Sequence, residues 1–101
     1  MALDFYRGEE GEHLFALSDN QVEYLSVILE TFREWTGVMI DQYGDGKLST
    51  ENCGTLINII DQYIAKTDLN ANKQKTVAIL EWRGLLQYFA ERGIDMAWRG
   101  D

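Results

Sequence analysis

The chain has 101 residues, of which nine are Lys or Arg and 17 are Asp or Glu, so its formal net charge is −8. This length allows one hydrophobic core, which predicts a single domain over residues 1–101. The negative charge argues against nucleic acid or an anionic membrane as partner, because like charges repel. One Cys and one His exclude an internal disulfide and a four-ligand zinc site of the Cys and His type.

The N-terminal residues do not have the pattern of a secretory signal, because Asp4 and Arg7 interrupt the apolar run that a signal requires. No stretch of the sequence approaches the roughly 20 apolar residues of a membrane span. We therefore expect a cytoplasmic protein whose Cys53 is reduced.

Two short apolar segments, 3–6 and 13–17, flank the sequence Gly8-Glu9-Glu10-Gly11. Glycines around a polar turn between such segments favour a β-hairpin, and a loose loop packed over helices is the alternative. Two strands alone are marginally stable, so either arrangement would need helices beneath it.

Residues 19–36 are predicted to form the first helix. Ser18 and Gln21 have the spacing of a capping box, and Gly37 is suited to end the helix in the left-handed conformation. Apolar side chains recur at helical spacing between these ends, at Val22, Leu25, Ile28, Leu29, Phe32 and Trp35.

The segment 38–49 is predicted to connect helices, extended at first and then rich in turn residues. Ser49 is predicted to cap a second helix that runs to about Lys66. A third helix is expected over about 71–92, and the tail after it contains two large apolar residues that we expect to pack back.

These patterns predict a mainly α fold, a bundle-like single domain of three or up to four helices, with the short N-terminal hairpin as a further element. All three Trp residues are interpreted as core. The third helix also has a second apolar side, formed by Val77, Leu80, Gly84 and Tyr88, which is typical of a central helix. The predicted core consists of Leu29, Phe32, Leu56, Ile60, Trp82, Leu86 and Phe89.

The excess negative charge belongs to the first half of the chain. Residues 1–46 contain ten acids and two bases, whereas residues 47–101 contain seven of each. On one continuous helix, four of these acids would form a stripe opposite the apolar face, namely Asp19, Glu23, Glu30 and Glu34. Like charges at this spacing cost a few tenths of a kcal/mol per pair, which a basic partner would relieve.

The stripe is therefore a candidate protein-binding surface, and the loop acids Asp41 and Asp45 would extend it. The alternative is a solvated face that serves solubility alone.

Residues 41–52 resemble an EF-hand calcium loop, with Asp41 and Asp45 at ligand positions. Tyr43 stands where that loop has an oxygen ligand, and Asn52 stands where it has a bidentate Glu. Calcium takes 6–8 oxygen ligands, so a simple connection is favoured and weak divalent-cation binding is the alternative. We expect no cofactor and no metal.

Residues with the pattern of a catalytic site are not apparent. His13 is the only general base of the usual kind and has no nucleophile near it in sequence, and Cys53 falls on the apolar side of the second helix. The glycines around Asp45 lack the basic residue of a phosphate-binding loop. We therefore predict a protein that is not an enzyme.

The segment Ile40-Asp41-Gln42-Tyr43-Gly44-Asp45, followed by Leu48-Ser49, is similar to a segment of small bacterial toxin-immunity proteins. The small size and acidity of the chain also resemble that class. The resemblance implies a protein that binds and neutralises a cognate toxin domain. Many such toxins are basic nucleases, and an acidic surface then mimics the charge of the nucleic acid that the nuclease binds. It implies no role for an individual residue.

Two other functions fit the sequence. The first is a helical scaffold or regulator that forms a homodimer through the second apolar side of the third helix. The second is a weak divalent-cation module built on the loop that starts at Asp41.

Overall fold

A computed structural model of the chain describes residues 3–8, 11–40 and 44–100. Over these ranges the fold is mixed α/β, so the mainly α bundle predicted above is wrong. A four-stranded antiparallel sheet lies beside four helices. In chain order the elements are β1 (Leu3–Arg7), β2 (His13–Leu17), α1 (Asp19–Tyr24), α2 (Ser26–Thr36), β3 (Asp45–Leu48), α3 (Thr50–Lys66), α4 (Lys73–Arg92) and β4 (Met96–Gly100).

The strands lie in the order β2-β1-β4-β3. The two N-terminal segments pair as the antiparallel hairpin β1–β2, in preference to a loose loop. The C-terminal tail forms β4, which pairs with β1 on one side and with β3 on the other. The first and last strands of the chain are therefore neighbours in the middle of the sheet.

Two of the four strands, β3 and β4, were not predicted. The residues of β3 include Asp45, Gly46 and Lys47, which are typical of turns, and the tail was expected only to pack back. Their strand conformation depends on pairing between residues far apart in the chain, such as Leu48 with Met96. Local spacing contains no information about such pairs, because β preference reflects the neighbours that a strand meets.

The helix ends follow the sequence closely. Ser18 Oγ accepts a hydrogen bond from the Gln21 N–H, and Gln21 Oε1 accepts one from the Ser18 N–H at 2.9 Å. Ser49 caps α3 in the same way through Asn52. Gly37, with φ 79°, ends α2 in the left-handed conformation that glycine adopts without strain.

The continuous helix predicted over 19–36 is divided at Leu25 into α1 and α2. The Leu25 N–H is bonded to the carbonyls of both Gln21 and Val22, at 3.2 and 3.1 Å, so the last turn of α1 is tightened. Leu25 itself is fully buried. The two helices have different neighbours, since α1 contacts α4 and β2 whereas α2 contacts α3.

The buried residues form one cluster between the helices and one face of the sheet. All seven residues of the predicted core are buried. The sheet adds Leu3, Phe5, Leu48, Met96 and Trp98, and the rings of Phe5 and Trp82 lie 6.1 Å apart between β1 and α4. The predicted core, which consists of helix residues alone, is therefore only part of the core in the structure.

Two expectations about exposure were wrong. Trp82 and Trp98 are buried, but Trp35 is 50% exposed. Helical spacing indicates which side of a helix a residue faces, but not whether a neighbouring element covers the last turn. The second apolar side of α4 is likewise open, with Val77 52% and Leu80 46% exposed, so α4 is covered on one side only.

None of the helices in the described ranges combines the length and the apolar character that are needed to cross a bilayer.

Candidate functional site

The acids of the first helix lie on the exposed side of α1. Asp19 and Glu23 are both exposed and stand one turn apart. Asp19 belongs to the first turn, where the positive end of the helix dipole favours a carboxylate. The structure thus presents this acidic pair to solvent next to β2 and α4, which are the elements that α1 contacts.

The second pair of acids lies on α2. Glu30 and Glu34 are exposed and one turn apart, on the side of α2 away from the buried Ile28 and Phe32. Arg33 is also exposed, so one base accompanies this pair. Because α1 and α2 are separate helices, the single stripe of the sequence becomes two acidic pairs, and we call these four residues (Asp19, Glu23, Glu30 and Glu34) the acidic surface.

The two loop acids have different positions. Asp41 lies outside the described residues. Asp45 is a strand residue of β3, at the sheet edge opposite β2, and its Oδ1 accepts a hydrogen bond from the Gly100 N–H at 3.3 Å. Its carboxylate therefore helps to hold β3 beside β4, in addition to any role in binding.

The cation-binding alternative depends on the same loop. Within the described ranges, no group of three or more His, Cys, Asp or Glu side chains is close enough to hold a metal ion. Because residues 41–43 lie outside those ranges, weak cation binding stays a prediction.

Apolar residues on α2 extend the acidic surface, and the sequence did not reveal them. Val27 and Trp35 are each half exposed and lie on one row of α2 through Thr31, at intervals of four residues. A shallow depression of about 160 Å³ between α2 and α3 includes Val27, Thr31 and Tyr63. Aromatic contact area beside charge is characteristic of protein interfaces, in which Trp is enriched.

Cys53 and His13, which are the Cys and the His of the sequence, lie apart in the structure. Burial, reinforced by the charge of Asp95, raises the pKa of the Cys53 thiol to about 11, so it stays protonated and weakly nucleophilic at neutral pH. His13 is exposed on β2, with its Nε2 3.0 Å from Asp4 Oδ1. Cys53 belongs to the core and His13 to the outer surface, so they cannot act on one substrate atom.

An ion pair joins the two long helices on the surface. The Arg83 Nε and Nη2 donate to the two carboxylate oxygens of Asp61, at 2.7 and 3.1 Å. The hydrogen bond from Arg83 lowers the pKa of the Asp61 carboxyl. Both partners lie near solvent, so this bidentate pair fixes α3 against α4 but does not form a reactive site.

Among the described residues, the acidic surface with Val27 and Trp35 combines exposed charge with exposed apolar area. Comparisons with protein-family models, with curated proteins and with solved structures find no match to this chain.

Proposed function

We propose that this protein binds a basic protein partner through the acidic surface, and that it is an immunity protein that neutralises a cognate toxin domain in the bacterial cytoplasm. One observation carries the proposal: all four acids are exposed on α1 and α2, and Trp35, which follows Glu34 in α2, is half exposed.

Charge determines which partner fits this surface. The net charge of −8 resides in residues 1–46, and four of the ten acids in that half lie on α1 and α2. Opposite charges accelerate association and disfavour acidic partners. A basic nuclease domain, which must itself attract nucleic acid, has the complementary charge.

The apolar residues have a different role in the proposed complex. Exposed charges at the rim of an interface mainly raise the association rate, whereas buried aromatic anchors mainly lower the dissociation rate. Trp35 would be such an anchor, and Glu30 and Glu34 would lie at the rim beside it.

The test has two steps, a search for a toxin gene beside the gene for this chain and co-expression of the toxin domain with this protein, and the lack of any such toxin gene would count against the proposal. We expect the protein to restore growth of cells that produce the toxin and to co-purify with it. A toxin that remains active in the presence of the folded protein contradicts the immunity function.

The surface is tested by charge reversal. The double variant Glu30→Lys, Glu34→Lys should bind the toxin at least tenfold more weakly, mostly through slower association that depends on ionic strength. The matched control is Glu51→Lys, Glu91→Lys, which changes the net charge equally on exposed positions of α3 and α4. If both variants lose affinity equally, the effect belongs to the overall charge and not to this surface.

A second candidate function has its own observation. The open side of α4 exposes Val77, Leu80 and Tyr88, which could join two copies of the chain in a homodimeric scaffold. Sedimentation at several concentrations tests it, and a monomer at every concentration excludes it.

A further inference from the structure

One side of α4 forms a continuous exposed stripe from the first turn of the helix to the last. Its six residues recur at intervals of three or four, so at about 100° per residue they lie within roughly 40° of a single line. All six are exposed, and three of them are large apolar side chains with accessible fractions between 40% and 52%. We call these residues the α4 stripe, namely Lys73, Val77, Leu80, Gly84, Tyr88 and Glu91.

The α4 stripe is complementary to itself when it is read in the opposite direction. Lys73 and Glu91 lie equally far from position 82, one on each side, and Leu80 and Gly84 share the same midpoint. If two copies of α4 pack antiparallel around a two-fold axis at this midpoint, each Leu80 meets Gly84 of the second copy. Each Lys73 then lies beside Glu91 of the second copy. Size and charge therefore indicate the same register.

The same register covers the remaining large apolar side chains. Val77 of one copy would contact Tyr88 of the second, because the midpoint of this pair lies within one residue of position 82. Gly84 has a use in this arrangement, since a glycine lowers helix propensity but leaves a hole that Leu80 can fill. No other described part of the chain lies within 4 Å of a Cβ added at Gly84, so the hole is open to a second copy.

The charges at the two ends of α4 favour the antiparallel orientation. Lys73 lies in the first turn and Glu91 in the last, and in each case the helix dipole has the same sign as the side chain there. A second copy in the antiparallel orientation brings Glu91 to the first turn and Lys73 to the last, which offsets both unfavourable placements. Parallel helices would instead place each of these charges beside its own copy.

The other charged side chains of α4 do not favour a basic or an acidic partner over a second copy. Glu81 and Arg92 flank the α4 stripe, so with the two end residues of the stripe this surface has two acids and two bases. Lys75 and Arg83 are directed towards α3, where they contact an aromatic ring and a carboxylate. Glu81 lies near the axis described above and would approach its own copy, which weakens the dimer.

We propose that two copies of this chain associate through the α4 stripe as an antiparallel dimer in this register. Residues 47–101 have seven acids and seven bases, so α4 belongs to the neutral half of a chain whose net charge is −8. Two copies can therefore approach along α4 with less repulsion than along α1 and α2.

The dimer would coexist with toxin binding and would not replace it. Glu30, Glu34 and Trp35 lie on α2, whose main helical neighbour is α3, and so outside the contact between two α4 helices. The inference rests on the proposed function only for its consequence, that one dimer presents two toxin-binding surfaces. It adds an orientation, a register and a stoichiometry to the homodimer named above.

Sedimentation equilibrium over a range of concentrations measures the dimer, and two valines of similar exposure provide a matched pair of variants. Val77→Gln on the α4 stripe should raise the dissociation constant of the dimer at least tenfold, because each dimer loses two apolar contacts. Val27→Gln on α2, where the valine is 50% exposed against 52% for Val77, should leave it unchanged. A monomer at every concentration, or equal effects of the two variants, would overturn the inference.

Charge reversal tests the orientation and the register. Lys73→Glu and Glu91→Lys, each alone, should weaken the dimer at least about threefold, because either change sets like charges side by side at both ends of the contact. The double variant Lys73→Glu, Glu91→Lys restores the opposite pairs and should regain most of the lost affinity. A double variant that dimerises no better than the single variants contradicts the antiparallel register.

Toxin binding is measured on the same proteins. We expect a complex of two toxin domains with one dimer, and we expect Val77→Gln, as a monomer, to bind one toxin domain with unchanged affinity. A toxin that dissociates the dimer would count against the inference. A dimer that forms as described but does not neutralise the toxin, in the original chain or as Val77→Gln, would contradict the immunity function alone.

Discussion

Gly46 on β3 lies directly opposite Trp98 on β4, and the Trp98 indole occupies the space that a side chain at position 46 would need. A Cβ atom there would overlap the ring carbons Cη2 and Cζ2 and lie 2.9 Å from Cε2. Trp98 is 5% exposed, so the ring has little freedom to move away. A glycine that looks like a turn residue in the sequence is thus required for a close approach within the sheet.

The first prediction concerns this contact. Gly46→Ala should lower the free energy of unfolding by about 1–3 kcal/mol, because overpacking forces the indole or the strand to shift. The control is Gly54→Ala on the exposed side of α3, where nothing lies within 4 Å of an added Cβ. It should raise stability by about 0.5–1 kcal/mol through the better helix propensity of Ala. Chemical denaturation measures both, and equal effects would contradict the role of Gly46.

Gly84 gives a second prediction. This glycine lies on the second apolar side of α4, and no other described part of the chain lies within 4 Å of an added Cβ. Gly84→Ala should therefore stabilise the monomer by about 0.5–1 kcal/mol. Sedimentation of the same variant is informative, because a dimer that dissociates on this substitution would place a second copy at α4 and support the homodimer function.

The substitutions Trp35→Ala and Trp82→Ala should affect different properties, the first toxin binding and the second stability. Trp35→Ala removes a half-exposed side chain, so we expect a stability change of no more than about 1 kcal/mol but at least tenfold weaker toxin binding. Trp82→Ala removes a side chain that is 1% exposed and should cost about 3–5 kcal/mol. Thermal unfolding and binding measured on both variants test the prediction. Unchanged toxin binding by a stable Trp35→Ala protein would remove Trp35 from the interface.

Cys53 should make stability fall at alkaline pH. Its thiol ordinarily titrates near 9.0, whereas in the folded protein the pKa is raised to about 11. Because the raised value belongs to the folded state, the protonated thiol contributes its full stability below pH 9.0, and this contribution is lost as the pH rises towards 11. The loss is on the order of 2–3 kcal/mol.

The measurement is the free energy of unfolding across that pH range for the protein and for Cys53→Ala. The variant should be less stable at neutral pH, because it has lost a buried side chain, and the difference should shrink at alkaline pH. A constant difference would mean that the thiol titrates alike in the folded and unfolded states.

The acidic surface illustrates how far sequence reasoning extends. Periodicity alone placed Glu30 and Glu34 opposite the apolar side of a helix, and they are exposed. The same reasoning missed the exposure of Trp35, because coverage depends on neighbouring elements. It also missed the groove between β2, α1 and α4, because α4 lies far along the chain from the other two elements.

The sequence by itself determined most of the helix ends, but not the break at Leu25, and it determined much of the core, because capping and amphipathic spacing act between residues within a few positions of one another. Ser18, Ser49 and Gly37 mark helix ends in the structure as they do in the sequence. Only the tertiary structure decided that 45–48 and 96–100 are strands and that β4 lies between β1 and β3. These pairings join residues some 50 or more positions apart, and only the folded chain brings their backbone groups together.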